Sequence, residues 1–281
     1  MTHSCFSKET IAQFDAAYPE TPVRLRHGLC DHPLLSLPAL VELAARLDPA
    51  DVEYNHGKLP IGIAAEDVPS PTLSIADTIR SIEENGSWMV LKFIENDPLY
   101  KALLDETLAE LRACVVPRTG EMLTLQGFIF VSATNAVTPF HFDPEHNILL
   151  QIRGSKVFTI FPQTDETIVS PVAHEKFHLG EHHRNLVWAD EFASKGDPVS
   201  LTPGDALLVP VKAPHWVKVT QGPSVSLSVT WRSDWSYAEA DARAFNNLLR
   251  NRGMTPASPA RYPEQNKAKS LAYRVIRRLR G

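Results

Sequence analysis

The sequence predicts a mainly β protein, a sheet sandwich or barrel, with helices on either side of it along the chain. Residues 122–232 consist of short β-rich runs separated by Gly and Pro, the pattern of many short strands. Before and after them, apolar residues recur at helical spacing. We therefore divide the chain into a helical or mixed region (1–121) packing on the barrel, a β core (122–232) and a C-terminal helical extension (233–281).

The N-terminal region alternates between helical and extended patterns. Leucines at positions 37, 40, 43 and 47 form one helical stripe, and Asp97-Pro98 suits the first turn of another helix. The predicted elements are a strand at 23–27, a helix at 34–47, loops at 54–58 and 69–71, a helix from Ser74 to about Glu84, a strand at 88–94 and a helix at 98–114.

The β core contains turn signals between its strands. Arg153-Gly154 predicts a hairpin, and Thr202-Pro203-Gly204-Asp205 predicts a tight type II turn. The predicted elements are a strand at 122–132, a hairpin of 148–152 with 156–161, a long polar insertion at 163–200 and strands at 206–210, 215–220 and 225–231.

His141-Phe142-Asp143, followed much later by His215, is the pattern that indicates chemistry. Residues at i and i+2 of a strand project from the same face, so one imidazole and one carboxylate point inward together. A second imidazole from a distant strand would complete the two-His-one-carboxylate set of non-heme Fe(II) oxygenases. Alternatively, His141 and Asp143 form an ordinary imidazole–carboxylate pair, and His215 is a core histidine.

The residues around this pattern resemble the JmjC-type hydroxylases, which are cupin-like Fe(II)- and 2-oxoglutarate-dependent oxygenases. The stretch 125–162 is especially similar to the asparaginyl hydroxylase of the hypoxia pathway, and a looser match continues through 201–232. The positions in register are Thr138, His141, Asp143, Asn147, the run 151–154 and Lys156.

The resemblance implies a double-stranded β-helix, which is a cupin-like jelly roll of the JmjC type. It implies that His141, Asp143 and His215 bind Fe(II), and that Thr138 and Lys156 hold the distal carboxylate of 2-oxoglutarate. Asn147 matches a position that contacts the cosubstrate and metal region. The implied reaction is hydroxylation of an unidentified substrate, a protein side chain or a small molecule, with release of succinate and CO2.

Two alternatives remain beside this hypothesis. Gly204-Asp205, Pro210 and His215 resemble the second cupin motif, so the chain could be a metal cupin enzyme that does not use 2-oxoglutarate. It could also be a non-catalytic ligand-binding or regulatory cupin protein. Ordinary metal cupins have a second His at position 143 and a Glu at position 147, and the Asp and Asn found here favour the oxygenase.

Composition excludes several other classes. The chain has 281 residues and a net charge of −5, which argues against general nucleic-acid binding. Its three cysteines, at positions 5, 30 and 114, suggest neither a disulfide framework nor a zinc ribbon. We see no secretory signal and no apolar run long enough to span a membrane, and we expect a cytoplasmic protein.

Two segments have open roles. The His-rich stretch 174–183 includes a helical i, i+4 His pair that could bind zinc, but a lid or substrate-recognition loop is favoured over a second metal. Residues 267–280 form a basic amphipathic helix that could touch a membrane, an acidic partner or nucleic acid. We favour the interpretation that this helix packs on its own domain or on a second subunit. Some related hydroxylases dimerise through terminal helices, so the resemblance is compatible with a homodimer.

Overall fold

The computed structural model describes residues 4–56, 60–63, 75–180 and 186–280. Its strands are β1 (Val23–Arg26), β2 (Val52–His56), β3 (Ser87–Leu91), β4 (Met122–Ser132), β5 (Val137–His141), β6 (His146–Ile160), β7 (Asp197–Leu201), β8 (Asp205–Val209) and β9 (His215–Ser233). Its helices are α1 (Lys8–Ala17), α2 (Leu37–Arg46), α3 (Ile75–Arg80), α4 (Ile82–Asn85), α5 (Pro98–Ala109), α6 (Arg112–Thr119), α7 (Pro171–Phe177), α8 (Asp234–Arg250) and α9 (Lys267–Arg280).

Two long strands, β6 and β9, run through both layers of a curled antiparallel sheet. The first half of β6 pairs with β8 and with the second half of β9, giving a layer of order β1-β8-β6-β9-β4-β3-β2. The second half of β6 pairs with β7 and with the first half of β9, whose other edge pairs with β5. The predicted mainly β jelly roll with flanking helices is confirmed.

The predicted hairpin at Arg153-Gly154 is wrong, because β6 is one continuous strand that bends there. Its pairing with β9 shifts register between Gln151 and Lys156. Gly154 has a φ of +66°, and a Cβ at this position would lie 2.4 Å from the carbonyl oxygen of Gln221. The glycine permits a bend of β6 from one layer of the sheet into the other. A glycine at such a bend looks the same in the sequence as a glycine in a hairpin turn. The two strands predicted at 215–220 and 225–231 are likewise one strand, β9.

Two predictions in the N-terminal region are also wrong. Residues 54–56 were predicted as loop but belong to β2, which lies at the edge of the sheet and pairs with β3. The helix predicted at 98–114 is broken, since α5 ends at Ala109 and α6 begins at Arg112. At the break, the Glu110 carboxylate accepts hydrogen bonds from the backbone N–H groups of Cys5 and Phe6.

Other local predictions agree with the structure. Asp97 caps α5 by accepting a hydrogen bond from the N–H of Leu99, and α4 ends at Gly86, which has a φ of +63°. The polar insertion 163–200 contains α7, a 3-10 segment and β7. The proposed cap Ser74, the loop 69–71 and positions 57–58 lie outside the described residues.

The main hydrophobic core lies between the larger layer of the sheet and the helices of the N-terminal region. Strand β9 contributes Val225, Leu227 and Val229 to this core, while the residues between them face the space between the two layers. Burying each such side chain stabilises the fold by about 1.5–3 kcal/mol. The helices therefore hold the larger layer from outside and leave its inner face available for polar groups.

Candidate metal and cosubstrate site

The two histidines of the predicted ligand set lie side by side. His141 is the last residue of β5 and His215 is the first of β9, and the two are direct partners in the pairing of these strands. Their ring centroids are 4.2 Å apart. The ring of Phe158 stacks on His215 with a centroid distance of 4.6 Å, which fixes the plane of that imidazole.

Both imidazoles are held in the same tautomer. Nδ1 of His141 lies 2.7 Å from the carbonyl oxygen of Pro139, and Nδ1 of His215 lies 3.0 Å from that of Ala213. A carbonyl oxygen only accepts hydrogen bonds, so each neutral ring carries its proton on Nδ1 and presents the lone pair of Nε2. Burial lowers the pKa of His215, which favours the neutral, ligating form.

Asp143 completes a compact set with the two histidines. Its Oδ2 lies 3.8 Å from Nε2 of His141 and 3.8 Å from Nε2 of His215. The candidate ligand atoms all lie within 4.8 Å of one another. Metal–ligand bonds of about 2.0–2.2 Å place neighbouring ligand atoms about 3–4 Å apart. The set therefore fits a single transition-metal ion with little adjustment.

The loop between β8 and β9 supports this set from behind. The backbone N–H of Lys212 donates a hydrogen bond of 2.9 Å to the carbonyl oxygen of Asp143. Lys212 is buried and forms an ion pair with buried Glu239 of α8, which also pairs with Arg243 and Arg261. The C-terminal extension thus anchors the loop that carries His215.

The set opens into a cavity of about 160 Å³ between the two layers of the sheet. Apolar walls come from both layers, among them Phe130 and Phe158, and polar groups lie at the metal end and at the rim. The lining residues with polar side chains are Glu53, Lys92, Thr138, Glu145, Asn147, Lys156, Ser228 and Thr230, besides the three of the ligand set.

Lys156 is a buried amine in the wall of this cavity. Its Nζ donates a hydrogen bond of 2.6 Å to Oγ of Ser226 and lies 5.9 Å from the ring centroid of Phe130. Burial lowers the pKa of Lys156 to about 7, because the ammonium loses its hydration. An anion bound beside this amine would restore its charge.

The other predicted positions also lie along the cavity. Asn147, on the first half of β6, accepts a hydrogen bond of 2.8 Å at Oδ1 from Oγ of Ser228. Thr138 lies on β5, three residues before His141. The structure therefore brings all six candidate residues to one cavity.

Three further groups, which the sequence did not single out, lie beside these residues. Ser226 and Ser228 hold Lys156 and Asn147, and Glu145 lines the same cavity. Burial and the charge of Asp143 raise the pKa of Glu145 to about 7. The run from Ser224 to Thr230 alternates hydroxyl and apolar residues, and this period of two could have revealed a polar face inside the barrel.

The lid or substrate-recognition role favoured for the His-rich stretch stays a prediction. His174 lies on α7 and His178 caps it, and burial lowers the pKa of both. His174 packs on the ring of Phe142, which follows β5 between His141 and Asp143, with centroids 4.9 Å apart. Within the described residues, the metal-ligand geometry is found only at 141, 143 and 215. Positions 181–183 lie outside the described residues.

A curled antiparallel sheet with a His–Asp–His set at an internal cavity defines a cupin-type barrel with a candidate metal centre. Residues 95–237, half of the chain, match the cupin-like domain family, and the chain belongs to that family. The predicted relationship to cupin-like proteins is thereby confirmed.

The chain is also similar to individual proteins of known name. It is 29% identical over 111 residues to Jumonji C domain-containing protein 5 of Drosophila melanogaster, covering 36% of this chain and 26% of that protein. It matches the structure of YcfD, a ribosomal oxygenase from Escherichia coli, in complex with cobalt and 2-oxoglutarate, with a TM-score of 0.52 and 16% identity. That match covers 95% of this chain and 66% of YcfD, and at this identity it shows a shared fold.

Another YcfD structure gives a TM-score of 0.51 at 14% identity and covers 100% of this chain and 69% of that one. The chain therefore spans about a quarter of the curated relative and about two thirds of YcfD. Within the described residues, no helix is long and apolar enough to cross a membrane.

Proposed function

We propose that the protein is an Fe(II)- and 2-oxoglutarate-dependent oxygenase that hydroxylates a substrate and releases succinate and CO2. The observation that carries the proposal is a metal-ligand set and a buried lysine in the same cavity. The YcfD complex with cobalt and 2-oxoglutarate supports it, since the two folds match over nearly the whole chain.

His141, Asp143 and His215 would hold the iron. The Nε2 lone pairs point toward Asp143, and a two-His-one-carboxylate set suits Fe(II) while leaving coordination positions open. Bound Fe(II) and 2-oxoglutarate together supply the oxygen activation that C–H hydroxylation requires. The chain's part is to fix the ligands, exclude water and position the substrate.

Lys156, Thr138 and Asn147 would hold the cosubstrate. The ammonium of Lys156 is a compact positive charge for the distal carboxylate, and its attraction is strong because the surrounding walls exclude water. Ser226 fixes the amine, and the hydroxyl of Thr138 can donate a second hydrogen bond. Asn147, held by Ser228, would contact the bound cosubstrate.

The rim of the cavity would receive the substrate. Trp88 and Phe128 give it an apolar wall, while Lys92, Glu53 and Glu145 add charges of both signs. This lining suits a protein side chain or a small molecule with polar and apolar parts. Because YcfD is described as a ribosomal oxygenase, protein side chains are the first substrates to screen.

Succinate formation tests the proposal. The protein is incubated with Fe(II), 2-oxoglutarate, oxygen and a peptide or metabolite pool, and 2-oxoglutarate and succinate are followed by NMR. We expect iron-dependent succinate formation that Asp143→Ala abolishes and that the control Lys101→Ala, at an exposed lysine of α5 outside the cavity, leaves unchanged. Metal binding without any consumption of 2-oxoglutarate across the pools would contradict the proposal and favour another metal-cupin chemistry.

A further inference from the structure

The C-terminal helix α9 has one face on the protein and another in solvent. On the inner face, buried Ser270 donates a hydrogen bond of 2.9 Å to Asp241 of α8, and Nε of Arg274 donates one of 2.6 Å to the same carboxylate. The predicted packing of this helix on its own domain is therefore present. These contacts fix which side of α9 faces outward.

The outward side carries an apolar strip of Leu271, Val275 and Leu279. The three lie at i, i+4 and i+8, so they align along one side of the helix. Their exposed fractions are 66%, 49% and 83%. Single exposed leucines are normal on protein surfaces, but an aligned strip is typical of an interaction face.

Basic residues flank this strip. At 100° per residue, Lys267 and Arg278 lie within about 40° of Leu271, on the side away from Val275. The helix holds six of the chain's 28 basic residues and none of its 33 acidic ones, so the rest of the chain has 22 basic against 33 acidic residues. The helix is thus strongly basic on an otherwise acidic protein, and two of its basic side chains lie beside the strip.

We propose that α9 docks the protein on an anionic lipid surface and lies in the plane of the interface. The strip enters the boundary between headgroups and acyl chains, while the flanking ammonium and guanidinium groups meet the anionic headgroups. The acidic remainder is repelled by such a surface, which leaves α9 as the contact. The helix is about 21 Å long, too short to span a bilayer.

The charge and the apolar strip of α9 together favour an anionic lipid surface over a second copy of the chain and over nucleic acid. If two copies paired through the strip, the flanking arginines and lysines of both copies would face each other, and like charges repel. Nucleic acid would satisfy the basic groups through its phosphates but leave the three apolar side chains in water. An anionic lipid surface satisfies both features of the helix.

Vesicle flotation of the full-length protein tests the proposal. The vesicles are phosphatidylcholine alone, or phosphatidylcholine with about 30% phosphatidylglycerol, in low and high salt. We expect binding to the anionic vesicles in low salt, and at least about tenfold less on neutral vesicles or in high salt. The double variant Leu271→Ser/Leu279→Ser and the double variant Lys267→Gln/Arg278→Gln should each lose at least about tenfold.

The matched control is Leu99→Ser, which removes an exposed leucine from α5 and should float like wild type. Thermal unfolding midpoints of all variants should stay near that of wild type, because the altered side chains are exposed. Failure to bind anionic vesicles would overturn the proposal. So would vesicle binding that survives loss of the two leucines.

Two further measurements distinguish the lipid surface from a second copy of the chain and from nucleic acid. A wild-type dimer that becomes a monomer in Leu271→Ser/Leu279→Ser, measured by light scattering, would assign the strip to a second copy and overturn the proposal. Equal binding of a fluorescent RNA oligonucleotide by wild type and this variant, without vesicle binding, would assign the helix to nucleic acid and also overturn it. A wild-type mass that the two substitutions leave unchanged supports the proposal.

Discussion

Replacing Lys156 with Met should stabilise the protein and remove its response to 2-oxoglutarate. Methionine fills a similar volume without a charge, so the variant avoids holding an ammonium in a dry cavity. It also loses the hydrogen bond from Nζ to Ser226. The two effects have opposite signs, and their sizes can be compared.

The larger of the two effects on stability is the cost of burying the Lys156 amine, and its lowered pKa gives the size of that cost. The pKa of Lys156 falls from its ordinary value of 10.5 to about 7 in the folded protein, because burial removes the hydration of the ammonium. Between these values the unfolded chain holds a proton that the folded protein has released, so wild-type stability rises with pH in this window. At 1.36 kcal/mol per pKa unit, the buried amine costs about 4 kcal/mol at about pH 7 and about 2 kcal/mol at about pH 9.

The lost hydrogen bond reduces the gain by about 1 kcal/mol. Lys156→Met should therefore unfold with a free energy higher than wild type by about 3 kcal/mol at about pH 7, and by about 1 kcal/mol at about pH 9. The assay is urea unfolding of the metal-free proteins at both pH values. Comparing the two proteins cancels the titration of all other groups.

With Co(II) present throughout at neutral pH, addition of 2-oxoglutarate should then raise the unfolding midpoint of wild type further but not that of Lys156→Met. If the difference in free energy of unfolding between Lys156→Met and wild type did not decrease from about pH 7 to about pH 9, the assignment of a buried, titrating amine would be refuted. A variant stabilised by 2-oxoglutarate as much as wild type would refute its role in binding the cosubstrate.

Three other variants test the surroundings of the site. Asp205→Ala removes a buried carboxylate that accepts hydrogen bonds from Thr202 and from two half-exposed arginines of β1, and urea unfolding should show a loss of about 1–3 kcal/mol; an unchanged free energy of unfolding would contradict this. Ser226→Ala frees the buried amine and should weaken 2-oxoglutarate binding about tenfold by calorimetry, with metal affinity unchanged; equal loss of both would mean general disruption. Glu239→Gln removes the carboxylate paired with Lys212 and should lower both stability, by about 3 kcal/mol, and Co(II) affinity; unchanged Co(II) affinity would show that the loop keeps its position without this pair.

Only part of the candidate site could be predicted from spacing. His141 and Asp143 stand at i, i+2, and the structure ends β5 at His141 and places Asp143 just after it, while the resemblance supplied the cosubstrate positions. The alternation in 224–230 marks a polar face, but the partners of Ser226 and Glu239 could not be found in this way. Their contacts with Lys156 and Lys212 join residues 70 and 27 positions apart in the chain, and they depend on how the sheet curls.

The sequence predicted the fold class, a mainly β jelly roll with flanking helices. Several strand boundaries were wrong, because local sequence signals do not show how strands pair. Gly154 marks a local change in backbone direction, and the sequence does not distinguish a hairpin from a bend between two layers. The edge strand β2 has only five residues, and its short alternation of apolar and polar residues does not distinguish a strand from a loop. The packing of His174 on Phe142 could not be predicted, because the two residues are distant in sequence.

The central claim is that one cavity binds Fe(II) and 2-oxoglutarate together. An anaerobic Fe(II) titration, with and without 2-oxoglutarate, followed by visible charge-transfer absorption tests it most directly. We predict a band that requires both components, is absent in His215→Ala and needs at least about tenfold more 2-oxoglutarate in Lys156→Ala. Iron binding by wild type without any band that depends on 2-oxoglutarate would contradict the account.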